Sequence, residues 1–483
     1  MNTVIQTKES LPLNLSGRIP ELDGLRGLAI GMVLMAHHFM IVSRPGFALA
    51  YSLVPLRLDW TGVDLFFVLS GFLIGGILLD ARESSNYFRV FYIRRFFRIV
   101  PIYAVLLLSV GLASYLSSAG ILGRYEEILG GRLPSAYYAL FLQNIGMSLH
   151  NAWGSFPLGI TWSLAIEEQF YLMLPLLIRF LNRRALLRFT LIAIAGAPFL
   201  RAFFFHLDPT NFFTWYTLMP CRADSLLLGV LGAIALRDPQ WRGWLLGNRG
   251  LVQRAIAILL LGVAYLGWRA PSYWHPLMAS VGLTWMALGY LAFLLYPLLY
   301  RDSWISRCLQ WNWLRALGVI AYGTYLFHEF FLGMSFGRVP WLRSWHDVGL
   351  SFIVLIVTIA FCQFSWVILR NRLSRWPIAR VINLTHPKNQ RSPHAETRHR
   401  AELGAPRAWL AEESDSSRSF LGIAIVAGFL QYVRRAFCRV RTGTAILREA
   451  FVTLERVVQN CQHLTTIENG RWHCTTDRAG LVL

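Results

Sequence analysis

The chain has 483 residues, of which 55% are hydrophobic and only 15% charged, with a formal net charge of +20. A charged share so far below the roughly 25% of soluble domains excludes water as the main solvent. No nucleic-acid fold module accompanies the arginine excess, which is therefore assigned to membrane topology and not to nucleic acid.

Residues 1–23 are polar, and the first apolar run has no small-residue cleavage site, so no cleaved signal peptide is expected. Apolar segments follow near 24–43, 61–80, 96–118, 134–148, 158–180, 185–204, 213–236, 251–268, 277–299, 315–335 and 347–369. Several approach the roughly 20 residues that an α-helix needs to cross hydrocarbon. None alternates like a barrel strand, so the backbone must satisfy its polar groups within helices. The expected fold is all-α, a polytopic membrane helical bundle.

Loop charge sorts the segments. Arg82, Arg89, Arg94, Arg95 and Arg98 place the loop after the second segment, and with it the N-terminus, on the cytoplasmic side. If every segment spanned, Arg179, Arg183, Arg184 and Arg188 would fall outside. The segment 134–148 is the shortest and carries Gln143 and Asn144, so it is read as a re-entrant or peripheral helix, which leaves about ten spans. The basic loops at 237–254, 301–315 and 370–380 then all fall inside. The membrane domain covers 24–370. Residues 371–483 form a polar cytoplasmic tail with an interfacial helix near 419–433, ending in Arg434-Arg435. The tail holds no G-x-S-x-G elbow or phosphate loop. The cysteines lack zinc-ribbon and redox spacing, leaving only Cys461-Gln462-His463 and His473-Cys474 as a weak metal reading; no metal is expected.

Polar side chains in apolar runs are costly and therefore candidates for function. The first span opens Asp23-Gly24-Leu25-Arg26-Gly27 and reaches His37-His38. On a helix, Arg26 and His37 lie about 16 Å apart along the axis and within about 20° of one face. This suits a substrate with a polyanionic head at the membrane surface and a reacting end beside His37, where a neutral imidazole takes a hydroxyl proton. A polar interhelical contact is the other reading of His37. Asp64, just inside the second span, suits orienting a histidine, pairing with an arginine, or favouring a helix N-terminus. Ser70, Gly71, Gly75 and Gly76 suit close helix packing. Arg94-Arg95-Phe96-Phe97-Arg98 suits the diphosphate of coenzyme A or anionic lipid headgroups.

The run Trp162-Ser163-Leu164-Ala165-Ile166-Glu167-Glu168-Gln169 holds two adjacent carboxylates that point about 100° apart, so at least one lines a wet cavity. Arg222 and Asp224 form a partner set in the seventh span. Tyr322, Tyr325, His328 and Glu329 mark the tenth, with His328 a second candidate base, an acceptor ligand or an interfacial anchor.

Taken together and in order, these segments resemble the membrane-bound acyltransferase 3 family over about residues 20–370. The pieces are Leu22-Asp23-Gly24-Leu25-Arg26-Gly27 with His37 eleven places after Arg26, Gly62-Val63-Asp64-Leu65-Phe66-Phe67-Val68-Leu69-Ser70-Gly71-Phe72, Arg95-Phe96-Phe97-Arg98, and Trp162 to Tyr171. The resemblance implies an O-acyltransferase that moves an acetyl-like group from acyl-CoA, as co-substrate and not as bound cofactor, to a hydroxyl of a carbohydrate or other envelope glycoconjugate. It implies that Arg26, Arg95 and Arg98 hold the donor and that His37 is catalytic. Asp64 and Glu167 are the candidates to orient the imidazole, and the sequence leaves open both direct transfer and a covalent acyl-histidine relay. Glu168, Tyr325, His328 and Arg222 are placed with the substrate. Tyr322, Tyr325 and His328 match a late family element, with Ala321 where a serine is common. Ser365-Trp366 is followed by Arg375-Trp376-Pro377, without the family's glutamate. Many relatives carry a fused esterase-like domain that this tail lacks, so transfer is expected to finish in the membrane domain or with an envelope-biosynthesis partner protein. The expected location is the bacterial inner membrane, with both termini cytoplasmic. The rival reading is a proton-coupled glycolipid or polysaccharide transporter with Glu167, Glu168, Asp64 and His37 as relay; such a carrier has no need of a diphosphate clamp.

Overall fold

The computed structural model describes residues 19–40, 58–121, 125, 129, 131, 133–270, 272, 274–337, 342, 344–373, 467, 468, 471 and 472. The chain divides into two units, Met1–Pro387 and Lys388–Leu483. In the second, the described residues form an antiparallel pairing of Ile467–Glu468 with Arg471–Trp472. The expected interfacial helix at 419–433 and the run Arg375-Trp376-Pro377 lie outside the described residues.

Among the described residues of the first unit, the regular elements are helices. Helix α1 (Pro20–Met35) continues as a π-helical turn, Ala36–Met40. A 3-10 turn, Asp59–Thr61, leads into α2 (Gly62–Asp80), and α3 (Tyr87–Ser118) follows. Three short helices come next: α4 (Ser135–Ala139), α5 (Gln143–His150) and α6 (Phe156–Gly159). Then come α7 (Trp162–Phe180), α8 (Arg183–Leu207), α9 (Phe212–Thr217), α10 (Met219–Arg237), α11 (Pro239–Gly247) and α12 (Arg249–Arg269). A second π turn, Met278–Gly282, enters α13 (Leu283–Leu299), followed by α14 (Trp304–Leu309), α15 (Asn312–Phe336) and α16 (Trp345–Leu373).

Among the described residues, seven helical stretches are long and apolar enough to cross a membrane: Asp59–Asp80, Tyr87–Ser118, Arg183–Leu207, Phe212–Arg237, Arg249–Arg269, Met278–Leu299 and Trp345–Val367. A count of about ten requires α1, α7 and α15 as well. These three carry the costly groups: Glu21, Asp23 and Arg26; Glu167 and Glu168; His328 and Glu329. The segment 134–148 breaks into α4 and most of α5, each too short to span. Gln143 and Asn144 are fully buried there, where Gln143 donates to Thr161 O at 2.7 Å. The outward faces of α8 and α12 are apolar, with Phe199 and Trp268 both 77% exposed.

Helices in the interior meet by backbone approach at two seams. In α1 against α14 and α15, a Cβ on Gly24 would overlap Leu309 O, one on Gly27 would overlap Leu314 O, and one on Gly318 would overlap Asp23 O. In α2 against α10, the same holds for Gly71 at Leu226 O and Gly229 at Val68 O. Glycine lets dispersion act between backbones where lipid supplies no hydrophobic drive. Several arginines of the basic loops are tied into the ends of the helices they join. Arg82 donates to Leu181 O at 2.8 Å, Arg237 grips Asp80 at 2.7 and 2.6 Å, and Arg249 meets Asp302 at 2.9 Å. Arg179 bonds Arg82 O and Arg183 bonds Asp238. These contacts tie the ends of α2, α7, α8 and α10 together, and the start of α12 to the turn after α13.

Candidate active site

His37 sits in the π turn that ends α1. Its Nδ1 lies 2.9 Å from Val33 O, an atom that can only accept, so Nδ1 carries the proton and Nε2 keeps its lone pair. Nε2 lies 3.4 Å from Glu329 Oε1 on α15. The His37 side chain is 24% exposed against 8% for Glu329, so the imidazole is the more accessible member of the pair. His328 packs edge-on to His37, with ring centroids 4.9 Å apart. Its Nδ1 donates to Tyr325 O at 2.7 Å and Thr324 O at 3.3 Å, which turns its Nε2 inward without a hydrogen-bond partner. One ligand atom each from His37, His328 and Glu329 lies within 4.8 Å of the others. Those atoms could hold a divalent cation or, equally by chemistry, share a proton between carboxylate and imidazole.

His38 faces elsewhere. It is 1% exposed, its Nδ1 lies 3.2 Å from Ser351 O on α16, and its own carbonyl accepts from Ser351 Oγ at 2.9 Å.

A second polar group lies among the earlier turns of α1, α2, α3 and α7. Arg26 pairs with Asp23 at 3.1 Å, and Arg95 and Arg98 act on its charge. The Arg95 guanidinium stands 5.4 Å from the Tyr171 ring centroid and 5.8 Å from that of Phe91, and Glu167 and Glu168 both act on it. Glu167 sits with Ser70 and Tyr171, whose hydroxyls share a hydrogen bond. Glu168 keeps a buried oxygen without a hydrogen-bond partner. Tyr322 donates to Ile99 O at 3.0 Å. Tyr325 joins the His37 group to the start of α7: its hydroxyl meets Ser163 Oγ at 2.6 Å and Ile160 O at 3.0 Å, and its ring lies 5.9 Å from that of His328.

Asp64 and Arg222 are brought together with each other. They form an ion pair in which both side chains are 0% exposed, and Ser225 Oγ donates to Asp64 at 3.3 Å. Of the roles open to Asp64, the arginine partnership is the one seen; its hydrogen bonds reach no histidine. The Arg222 guanidinium lies over the rings of Tyr216, Phe67 and Trp162 at 4.9, 5.6 and 5.9 Å. Asp224 pairs with Arg201 at 2.9 Å, and Thr284 donates to Asp224 at 2.6 Å. Arg201 went unremarked in the sequence, where an arginine within the apolar run of α8 was the available signal. Glu329 was visible beside His328, but only the fold gives it His37.

A family model described as an acyltransferase domain matches residues 19–370. The chain is 30% identical over 333 residues to the peptidoglycan O-acetyltransferase OatA of Listeria monocytogenes, covering 64% of this chain and 49% of that protein. It is 28% identical over 403 residues to the Bacillus subtilis protein named "Putative peptidoglycan O-acetyltransferase YrhL", covering 76% of this chain and 59% of that one. The chain thus spans about half the length of these relatives. No solved structure matches it significantly. With residues 19–370 of its 483 matched, the chain belongs to this acyltransferase family.

Proposed function

We propose that the chain transfers an acetyl-like acyl group from acyl-CoA to a hydroxyl of an envelope glycan, with His37 as general base. The observation that carries this reading is the His37 geometry: Nδ1–H tied to Val33 O and Nε2 turned to Glu329. In that arrangement Nε2 takes the proton of the acceptor hydroxyl as its oxygen attacks the thioester carbonyl carbon. The C–S bond then breaks, coenzyme A leaves as thiolate, and the imidazolium returns the proton to sulfur. Val33 O, accepting from Nδ1–H, orients the ring from behind, and Glu329, on the Nε2 side, stabilises the positive charge of the imidazolium as it forms.

The donor's phosphates fit Arg26, Arg95 and Arg98, and the pantetheine arm then runs past Tyr325 toward His37. Arg26 and His37 stand on one helix at about 16 Å of axial separation, a length suited to that arm. The arginine-rich end is the cytoplasmic one, and the membrane is the bacterial inner membrane, since basic loops are retained inside. The acceptor then reaches His37 from the opposite side; the relatives' names point to peptidoglycan as a first acceptor to try. A transport relay would need Asp64 in line with His37, whereas its carboxylate bonds Arg222.

The test is the full chain in nanodiscs, given radiolabelled acetyl-CoA and a glycan acceptor, with mass spectrometry of surface glycans from a deletion strain complemented by each variant. Wild type should form an alkali-labile acetyl ester, and His37→Ala at equal protein level should lose about 10²–10⁴-fold in rate, the usual worth of a positioned base. Full ester formation by His37→Ala would end the assignment.

A further inference from the structure

Helix α11 lies at the arginine-rich end as a strap between α10 and α12. Asp238 caps its start, accepting from Gln240 N at 2.8 Å and Trp241 N at 3.1 Å, and is itself held by Arg183 of α8. Near its other end, Tyr300 donates to Leu245 O at 2.5 Å. Between these anchors the strap buries none of its residues. It stands off from the bundle over a groove of about 450 Å³, lined by Leu231 and Ala235 of α10, Leu291 and Leu295 of α13, and Trp241 and Trp244 of α11. That volume falls within the roughly 300–1,000 Å³ of small-molecule sites.

The lining has no charged side chain, so a sugar or nucleotide would lose its water there without replacement hydrogen bonds. Trp241 and Trp244 are 42% and 54% exposed, the amphipathic rings that settle at headgroup level. Between them in sequence stands Arg242. The neighbouring Arg183, Arg237 and Arg249 are taken up by Asp238, Asp80 and Asp302. Arg242 has no carboxylate partner among the described residues.

We propose that this groove holds an acyl chain of an anionic phospholipid whose phosphate is met by Arg242. The hydrocarbon lining takes the chain, the indoles mark the depth, and the guanidinium accepts the phosphate through charge-assisted hydrogen bonds. The site lies apart from His37 and goes beyond the transfer reaction.

The full chain is reconstituted in nanodiscs with equal phosphatidylglycerol and phosphatidylcholine of matched chains, and native mass spectrometry reads the lipid retained on release. Wild type should keep phosphatidylglycerol about fivefold over phosphatidylcholine, the effect of one basic residue at an anionic surface. Arg242→Gln should remove the preference, and Ala235→Trp, which fills the groove, should remove retention of both lipids. Equal retention by wild type, an undiminished preference in Arg242→Gln, or unchanged retention in Ala235→Trp would each overturn the proposal and leave annular lipid only. Should Ala235→Trp fail to fold, a benzophenone amino acid at Leu245, which also lines the groove, replaces it. Capture of phosphatidylglycerol there above that from Leu261, which is 71% exposed on α12, supports the site; equal capture sinks it.

Discussion

A histidine whose Nδ1 is committed to its own helix has one lone pair left, and its direction decides what the residue does. His37 turns that lone pair to a carboxylate at 3.4 Å, with a second imidazole alongside. Under the proposed chemistry, Glu329→Gln keeps the shape and removes the charge that stabilises imidazolium. Its kcat should fall about 10²-fold with KM for acyl-CoA little changed, since the loss falls in the transition state. Steady-state kinetics on the purified chain decide this, and an unchanged kcat would remove Glu329 from the reaction. The histidine was legible from its spacing to Arg26. Its partner was not, because 292 residues separate Glu329 from His37 and only helix packing joins them.

Among the elements, the α2–α10 pair carries both an opposed glycine seam and the buried Asp64–Arg222 bond. A β-branched side chain at Gly229 would meet Val68 O and the backbone of α2, so Gly229→Val should drive the helices apart and abolish monodisperse protein in size-exclusion chromatography. Arg222→Ala strands a carboxylate with no water to turn to and should cost about 3–5 kcal/mol by unfolding in detergent. Replacing both partners, Asp64→Leu with Arg222→Met, should recover most of that loss. If the recovered double variant is still inactive, the pair serves substrate as well as scaffold; if it is active, the pair is scaffold alone. The sequence marked each of these residues as costly in lipid. It left Asp64 several partners, because a carboxylate at a helix start suits a dipole, a histidine or an arginine equally well.

At the scale of the whole molecule, the basic loops converge on one end and the paired imidazoles lie deeper, with Glu167, Glu168 and Tyr325 between. This polarity predicts that Arg95→Ala and Arg98→Ala raise KM for acyl-CoA about tenfold or more each, the loss of a charge-assisted phosphate contact. Rising salt should raise the wild-type KM and affect the variants less. A KM insensitive to both substitutions would place the donor elsewhere. The bundle was legible from apolar runs and loop charge. The span count was harder to read, because the helices that hold the polar groups are the ones whose hydropathy those groups depress. The breaking of 134–148 into short helices is the exception: its amides and its shortness already set it apart.

The π turn at the end of α1 puts two neighbouring histidines to work on different helices, His37 on α15 and His38 on α16. It is thus a mechanical junction: a shift of α16 pulls on the same turn that aims the His37 ring. Damage at Ser351, on the far side of His38, should detune the transfer step without touching any group that meets a substrate. A Ser351→Val protein that folds and binds acyl-CoA normally but turns over slowly would be the signature of that linkage.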